Sequence, residues 1–266
     1  MRSAVHELRL FFIALQFFTR APVPAWVGFE PAWLQQCARH FPLVGAVVGA
    51  FAALALWLAL LLFPPPVAVG LSMAASVWLT GGFHEDGWAD SCDGLGGAVA
   101  REKALAIMKD SRIGSYGALG LILMLGLKAA TLAALVELDP PLALAALVWG
   151  HVGSRAAPVW LMHGLAYAGD AEHAKAKPLA TQANGRTVAI ALGWALAAAA
   201  ALVAFDAQLV PALCAAIVTA TAVTLRMQDR LERRLGGYTG DNLGACQQLV
   251  ELTMLLAMLA ALRAVA

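Results

Sequence analysis

The chain is 266 residues long, 61% hydrophobic and 13% charged, with a formal net charge of +1. Soluble domains carry roughly 25% charged residues, so a soluble all-α protein of this length is excluded by its shortage of surface charge. With so little net charge there is no broad basic field to attract nucleic acid. Cys37, Cys92, Cys214 and Cys246 form no CxxC pair, which argues against both a zinc site and a disulfide framework.

In chain order, residues 8–18 predict a short helix lying at a membrane interface, ended by Arg20 and the Pro22/Pro24 pair. Arg2 and Arg9 flank an apolar stretch there, but no small-residue cleavage site of a signal peptide follows it. Seven hydrophobic segments come next, at 42–63, 67–83, 114–138, 142–162, 188–205, 209–225 and 249–265. The first is an unbroken run of 22 apolar or small residues, about 33 Å as a helix and enough to cross a bilayer core. The expected fold is therefore all-α: one polytopic helical bundle over residues 1–266, with about 6–7 transmembrane helices and an N-terminal interfacial helix, packed in membrane lipid.

The connections alternate in character. Those at 64–66, 137–141 and 206–208 are short and hold no Lys or Arg, whereas 81–112, 163–186 and 226–248 are long and polar. Of the 18 basic residues, 15 fall on the long-loop side, including Lys175 and Lys177. The positive-inside rule makes that side cytoplasmic, so all three long loops are expected in one compartment. Lys128 and Arg155 lie inside spans, where a charge is buried, paired or functional, although Arg155 could also snorkel to the cytoplasmic end.

The first long loop carries HEDGWADSCDG, with Asp86, Asp90 and Asp93 spaced to share one helix face. Like charges at this spacing repel, and a divalent cation is the simplest way to offset them. An all-oxygen ligand set favours Mg²⁺ or Mn²⁺ over zinc, and Mg²⁺ normally completes its shell with phosphate oxygens. The pattern thus points to phosphoryl or nucleotidyl transfer, against the bland reading of a solvated acidic loop. The loop closes on MKDSRIGSYG. Here Lys109 and Arg112 suit phosphate clamping, Ser111 and the glycines offer donors at a helix N-terminus, and Asp110 is a further ligand or a base. The third long loop holds GGYTGDNLGA, four glycines in nine residues, suited to close backbone approach to a ligand through Thr239, Gly240 and Asp241. Plain helix capping with Asp241 as N-cap explains it equally well. His84 is either a base or an interfacial residue; His151 and His163 read as packed or interfacial.

Taken together, Phe18-Thr19-Arg20 with Pro22 and Pro24, Phe41-Pro42 with Gly45, and the three loop motifs resemble the cobalamin synthase family, the adenosylcobinamide-GDP ribazoletransferases, from about residue 8 to 255. The resemblance implies an Mg²⁺-dependent enzyme of the bacterial inner membrane, with active-site loops facing the cytoplasm, acting late in assembly of the cobamide nucleotide loop. Its partners would be a corrinoid nucleotide and α-ribazole or its 5′-phosphate, with GMP as leaving group. Assembly as a homo-oligomer stays open. Metal and phosphate roles would fall to Asp86, Asp90 and Asp93, with Glu85 and Asp110 in support; Asp110, His84 and a metal-bound hydroxyl of the substrate all stand open as the base. Trp88 stands where the family usually has leucine, and Gln248 where it tends to have glutamate; Glu251, one helical turn on, could stand in for that acid. Two other readings compete. A CDP-alcohol phosphotransferase needs DGxxAR and a second paired-aspartate stretch, neither of which is present. A transporter needs polar residues near the bilayer midplane, where only Lys128 and Arg155 qualify.

Overall fold

In the computed structural model, residues 2–169 and 181–264 are described; Lys175, Lys177 and the last residues of the span expected at 249–265 lie outside them. The described residues form helices α1 (Arg2–Phe18), α2 (Pro31–Cys37), α3 (Phe41–Leu60), α4 (Pro65–Thr80), α5 (Phe83–Gly96) and α6 (Arg101–Lys109). They continue with α7 (Ser115–Leu138), α8 (Pro140–Ser154), α9 (Ala156–Gly164), α10 (Gly185–Phe205), α11 (Val210–Leu235) and α12 (Gly240–Arg263). Proline sets several starts: α3, α4, α8 and α11 each hold one in their first two positions, where a missing N–H costs nothing.

Five helical segments are long and apolar enough to cross a bilayer: Pro31–Leu60, Ser115–Leu138, Gly185–Phe205, Ala207–Leu235 and Gly240–Arg263. A sixth arises if α4 and α5 count as one span bent by 90°. The all-α membrane bundle is thus borne out, with fewer unbroken spans than the sequence suggests. Large apolar side chains point outward along these helices. Leu62, Ile122, Leu123 and Val218 are each more than 60% exposed, a surface suited to lipid rather than water.

Two expected spans are interrupted, each for a local reason. Residues 142–162 are two helices, not one. The ring of Pro158 would clash with the carbonyl of Ser154 and supplies no N–H to it, so α8 stops at Ser154 and α9 begins at Ala156. The span expected at 67–83 ends at Thr80, because Gly81 and Gly82 take left-handed φ values of 71° and 72° and swing the chain into α5. Only glycine adopts that pair of conformations without cost.

Close crossings hold the bundle together. A Cβ on Gly45 would lie 2.2 Å from the carbonyl oxygen of His151, and one on Gly49 would lie 2.9 Å from Cα of Val148. Small residues therefore let α3 and α8 approach backbone to backbone. Ser72 on α4 donates to the carbonyl of Ala52 on α3 at 2.7 Å. The most apolar stretch of α12 is 56% buried against 17% for α10, which makes α12 the central helix, packed on α5, α7, α8, α9 and α11. The N-terminal helix ends at Phe18 as expected, and it buries Leu10, Ile13, Ala14 and Leu15 in packing on α2 and α3.

Candidate active site

The three long loops meet at one end of the bundle, with α5 at the centre of the meeting. The helix expected from the aspartate spacing is present, and Glu85 and Asp86 occupy its first turn, where negative charge is favoured by the helix dipole. The carboxylates then diverge in environment. Asp86 is exposed, and among the described residues its side chain makes no hydrogen bond or ion pair. Asp90 is half-buried one turn further along the same face.

Asp93 is committed elsewhere. Its Oδ2 accepts from the backbone N–H of Gly114 at 2.7 Å and its Oδ1 from that of Gly117 at 2.8 Å, so it caps the N-terminus of α7. A Cβ on Gly114 or Gly117 would lie 2.4 Å from a carboxylate oxygen of Asp93, and one on Gly120 would lie 2.6 Å from Sγ of Cys92. The glycines of GSYG thus form a seam along which α7 crosses α5. Arg112, expected as a phosphate clamp, is fully extended in solvent and forms a fork with Asp110: Nη2 to Oδ2 at 2.7 Å and Nε to Oδ1 at 3.0 Å. This pairing raises the guanidinium pKa above its ordinary value. Lys109 and Ser111 are exposed beside it.

The third motif is built for docking. Gly236 ends α11 in a left-handed conformation, and Gly237 passes so close to the carbonyl of Ala166 that no Cβ would fit. Tyr238 is fully buried, which pushes its phenol above the usual range. Its backbone pairs with the second loop, Tyr238 N donating to Ala166 O at 2.9 Å and Ala168 N to Tyr238 O at 2.8 Å. The N-cap of α12 is Thr239, not Asp241: Thr239 Oγ1 accepts from Asn242 N, and the Asn242 side chain returns a bond to Thr239 N. This reciprocal box outcompetes a simple aspartate cap. Asp241 lies half-buried in the first turn and Gly240 is exposed. Asn242 Nδ2 donates to Ser91 Oγ at 2.9 Å, and a Cβ on Gly87 would lie 2.7 Å from Asp241 O, so the start of α12 rests directly on α5.

A sequence profile described as cobalamin-5-phosphate synthase matches residues 10–259. The chain belongs to the cobalamin-5-phosphate synthase family. It is 61% identical over 262 residues to a protein of Leptothrix cholodnii named adenosylcobinamide-GDP ribazoletransferase, covering 98% of each chain. Proteins of the same name from Shewanella amazonensis and Polaromonas naphthalenivorans are 43% and 44% identical, covering 97% and 94% of this chain and 98% and 96% of theirs. No solved structure matches. Membership leaves no support for the CDP-alcohol phosphotransferase or transporter readings.

The expected Mg²⁺ finds few carboxylates to hold it. Among the described residues, no group of three or more His, Cys, Asp or Glu side chains is arranged to hold a metal ion. Glu85 turns toward the bundle interior, where Oε1 accepts from Gln248 Nε2 at 3.0 Å, and Asp93 is spent on α7. Asp86, exposed, and Asp90, half-buried, fit the sparser way of holding Mg²⁺, by one or two carboxylates together with substrate phosphates. His84 is 3% exposed and stacks on Phe18, with ring centroids 5.3 Å apart. It is a core residue here, not a base facing open surface.

Sequence reasoning missed the polar core beside this site. Lys128 Nζ lies 2.5 Å from Glu251 Oε1, and Arg155 donates from Nη1 to His151 O at 2.9 Å. Arg155 is 3% exposed, so it does not snorkel. Glu251 is fully buried with Lys128 and does not supply an acid to the loop site. Two charges inside spans were the signal, but the partner of Lys128 sits over a hundred residues away in sequence. An apolar cavity of about 300 Å³ between α8 and α12, lined by Trp149, Gly153, Leu196, Thr224 and Met254 among others, contains none of the loop carboxylates and is not the chemical centre.

Proposed function

We propose that the chain joins adenosylcobinamide-GDP to α-ribazole or α-ribazole 5′-phosphate, giving adenosylcobalamin or its phosphate and GMP. The observation that carries this reading is the Asp86/Asp90 face of α5 beside the start of α12, where the first and third loops meet, in a chain 61% identical to a protein bearing that activity in its name. A ribazole hydroxyl oxygen bonds to the phosphorus attached to the corrinoid arm as the bond from that phosphorus to GMP breaks, and GMP carries away the negative charge. Mg²⁺, when bound, would neutralise phosphate charge and polarise the phosphorus. Asp86 and Asp90 would hold that ion on the α5 face. Lys109 and Arg112 supply cationic donors from the neighbouring loop, Arg112 exchanging its fork on Asp110 for one on phosphate, and Asp110, once released, can take the hydroxyl proton. The site faces the cytoplasm of the inner membrane, in line with the basic loops.

The test is turnover of purified, detergent-solubilised protein with adenosylcobinamide-GDP, α-ribazole and Mg²⁺, following GMP and corrinoid product together. Wild type should release both, and Asp86→Asn should release neither while melting like wild type, because the Asp86 side chain holds no partner among the described residues. A well-folded wild type inactive with both α-ribazole and its phosphate would sink the reading.

A further inference from the structure

The proposed reaction does not use the buried polar cluster, yet the cluster runs to the reaction's helix. Lys128, His151, Arg155, Gln247, Gln248 and Glu251 are each no more than 4% exposed, and ionisable groups inside a membrane bundle are expensive enough to mark function. The bonds form a continuous path. From the Lys128–Glu251 pair, Glu251 Oε2 accepts from Gln247 Nε2 at 2.6 Å, and that nitrogen also donates to Ser154 Oγ at 2.9 Å. Gln247 Oε1 accepts from Gln248 Nε2 at 3.0 Å, and Gln248 Nε2 donates to Glu85 Oε1 at 3.0 Å. The path therefore ends on the residue that precedes Asp86.

The far half of α5 is fixed by Asp93 on α7 and by Ser91 on Asn242. Its first turn packs through Phe83 and His84 on Phe18 but has fewer polar ties. It hangs from Gly81 and Gly82, both left-handed, and its N-cap glycine offers no side-chain bond. Among the described residues, the side-chain hydrogen bond reaching this turn from another element is the one from Gln248. Glu85 Oε2 and Gln248 Oε1 are buried without a hydrogen-bond partner among the described residues, an imbalance that a network kept for stability alone would not retain.

We propose that Gln248 is a positioning residue: by holding Glu85 it sets the rotation of the first turn of α5, and so the direction in which Asp86 and Asp90 present their carboxylates. The Lys128–Glu251 pair is the fixed anchor behind it. This rests on the ribazoletransferase reading of the α5 face. Gln248 itself touches no substrate, so its loss acts on the chemical step and not on capture of the corrinoid.

The experiment compares wild type with Gln248→Leu and with Glu85→Leu, alone and combined. For Gln248→Leu, kcat should fall about tenfold or more while KM for adenosylcobinamide-GDP stays within about twofold, with an unchanged melting temperature. The double variant should be no slower than the worse single one, since both remove the Gln248–Glu85 bond. If Gln248→Leu melts early, Gln248→Met, with the same unbranched reach, is measured in its place. A variant with wild-type kcat, losses that multiply in the double variant, or a kcat loss that always accompanies lost folding would each overturn the proposal. An inactive wild type would sink the ribazoletransferase reading and the positioning role together, whereas an active wild type with an unaffected variant sinks the positioning role alone.

Discussion

Replacing Asp93 separates two roles that one carboxylate cannot fill at once. If Asp93 is the cap of α7, Asp93→Ala removes two charge-assisted bonds, at 2.7 and 2.8 Å, and leaves the N–H groups of Gly114 and Gly117 without their acceptor. Bonds to a charged group contribute about 1.5–3 kcal/mol each, net of water, so the loss of two is about 3–6 kcal/mol. Asp93→Asn keeps one oxygen but turns an NH₂ toward the other N–H, and should cost about 2–3 kcal/mol. Asp86→Asn, at an exposed side chain with no partner, should stay within about 0.5 kcal/mol. By the scaling for soluble chains of similar length, the alanine variant should melt on the order of 10 °C lower. Thermal unfolding of the three variants in one detergent gives the ranking directly. An Asp93→Ala protein that melts with wild type but is as inactive as Asp86→Asn would refute the cap and return Asp93 to the metal.

Other outcomes follow from the same geometry. Gly87→Ala places a methyl 2.7 Å from Asp241 O, so thermal unfolding should register about 1–3 kcal/mol of overpacking, and GMP release should fall as α12 lifts from α5. Glu251→Gln strands Lys128 in the bundle core and should destabilise by about 3–5 kcal/mol, while adding Lys128→Met should recover part of that loss in the same melt. Arg112→Lys keeps charge but not the fork; its melting temperature should match wild type, and its turnover should drop if the fork passes to phosphate.

The spans were legible because hydrophobic blocks of bilayer length have few other uses. Their interruptions were also written in the chain, at Pro158 and at Gly81-Gly82, but each acts through backbone geometry that hydropathy does not register. The aspartate spacing correctly forecast a helix. It could not tell which carboxylate would be claimed by a neighbour, because the claimant, the N-terminus of α7, presents backbone N–H groups common to every sequence. The glycines of GSYG and GGYTGDNLGA drew a ligand reading, yet in the fold Gly114 and Gly117 admit α7 against α5 and Gly237 admits the carbonyl of Ala166; close approach to a ligand and to another segment leave the same trace in sequence. The polar core was hidden for another reason. Glu85, Lys128, Arg155 and Glu251 come from four stretches of chain, and no periodicity links them.

The right-angled turn at Gly81-Gly82 also decides how the chemistry is laid out in space. Had α4 run on without a bend, each carboxylate after Glu85 would lie deeper or shallower than the last by the rise of the helix, about 6 Å per turn or slightly less. With α5 lying across the end of α4, that spacing is spent sideways, and Asp86 and Asp90 stand at nearly one level. On the function proposed above, a bulky substrate then meets both acids without changing its depth, and only its diphosphate needs to be aligned.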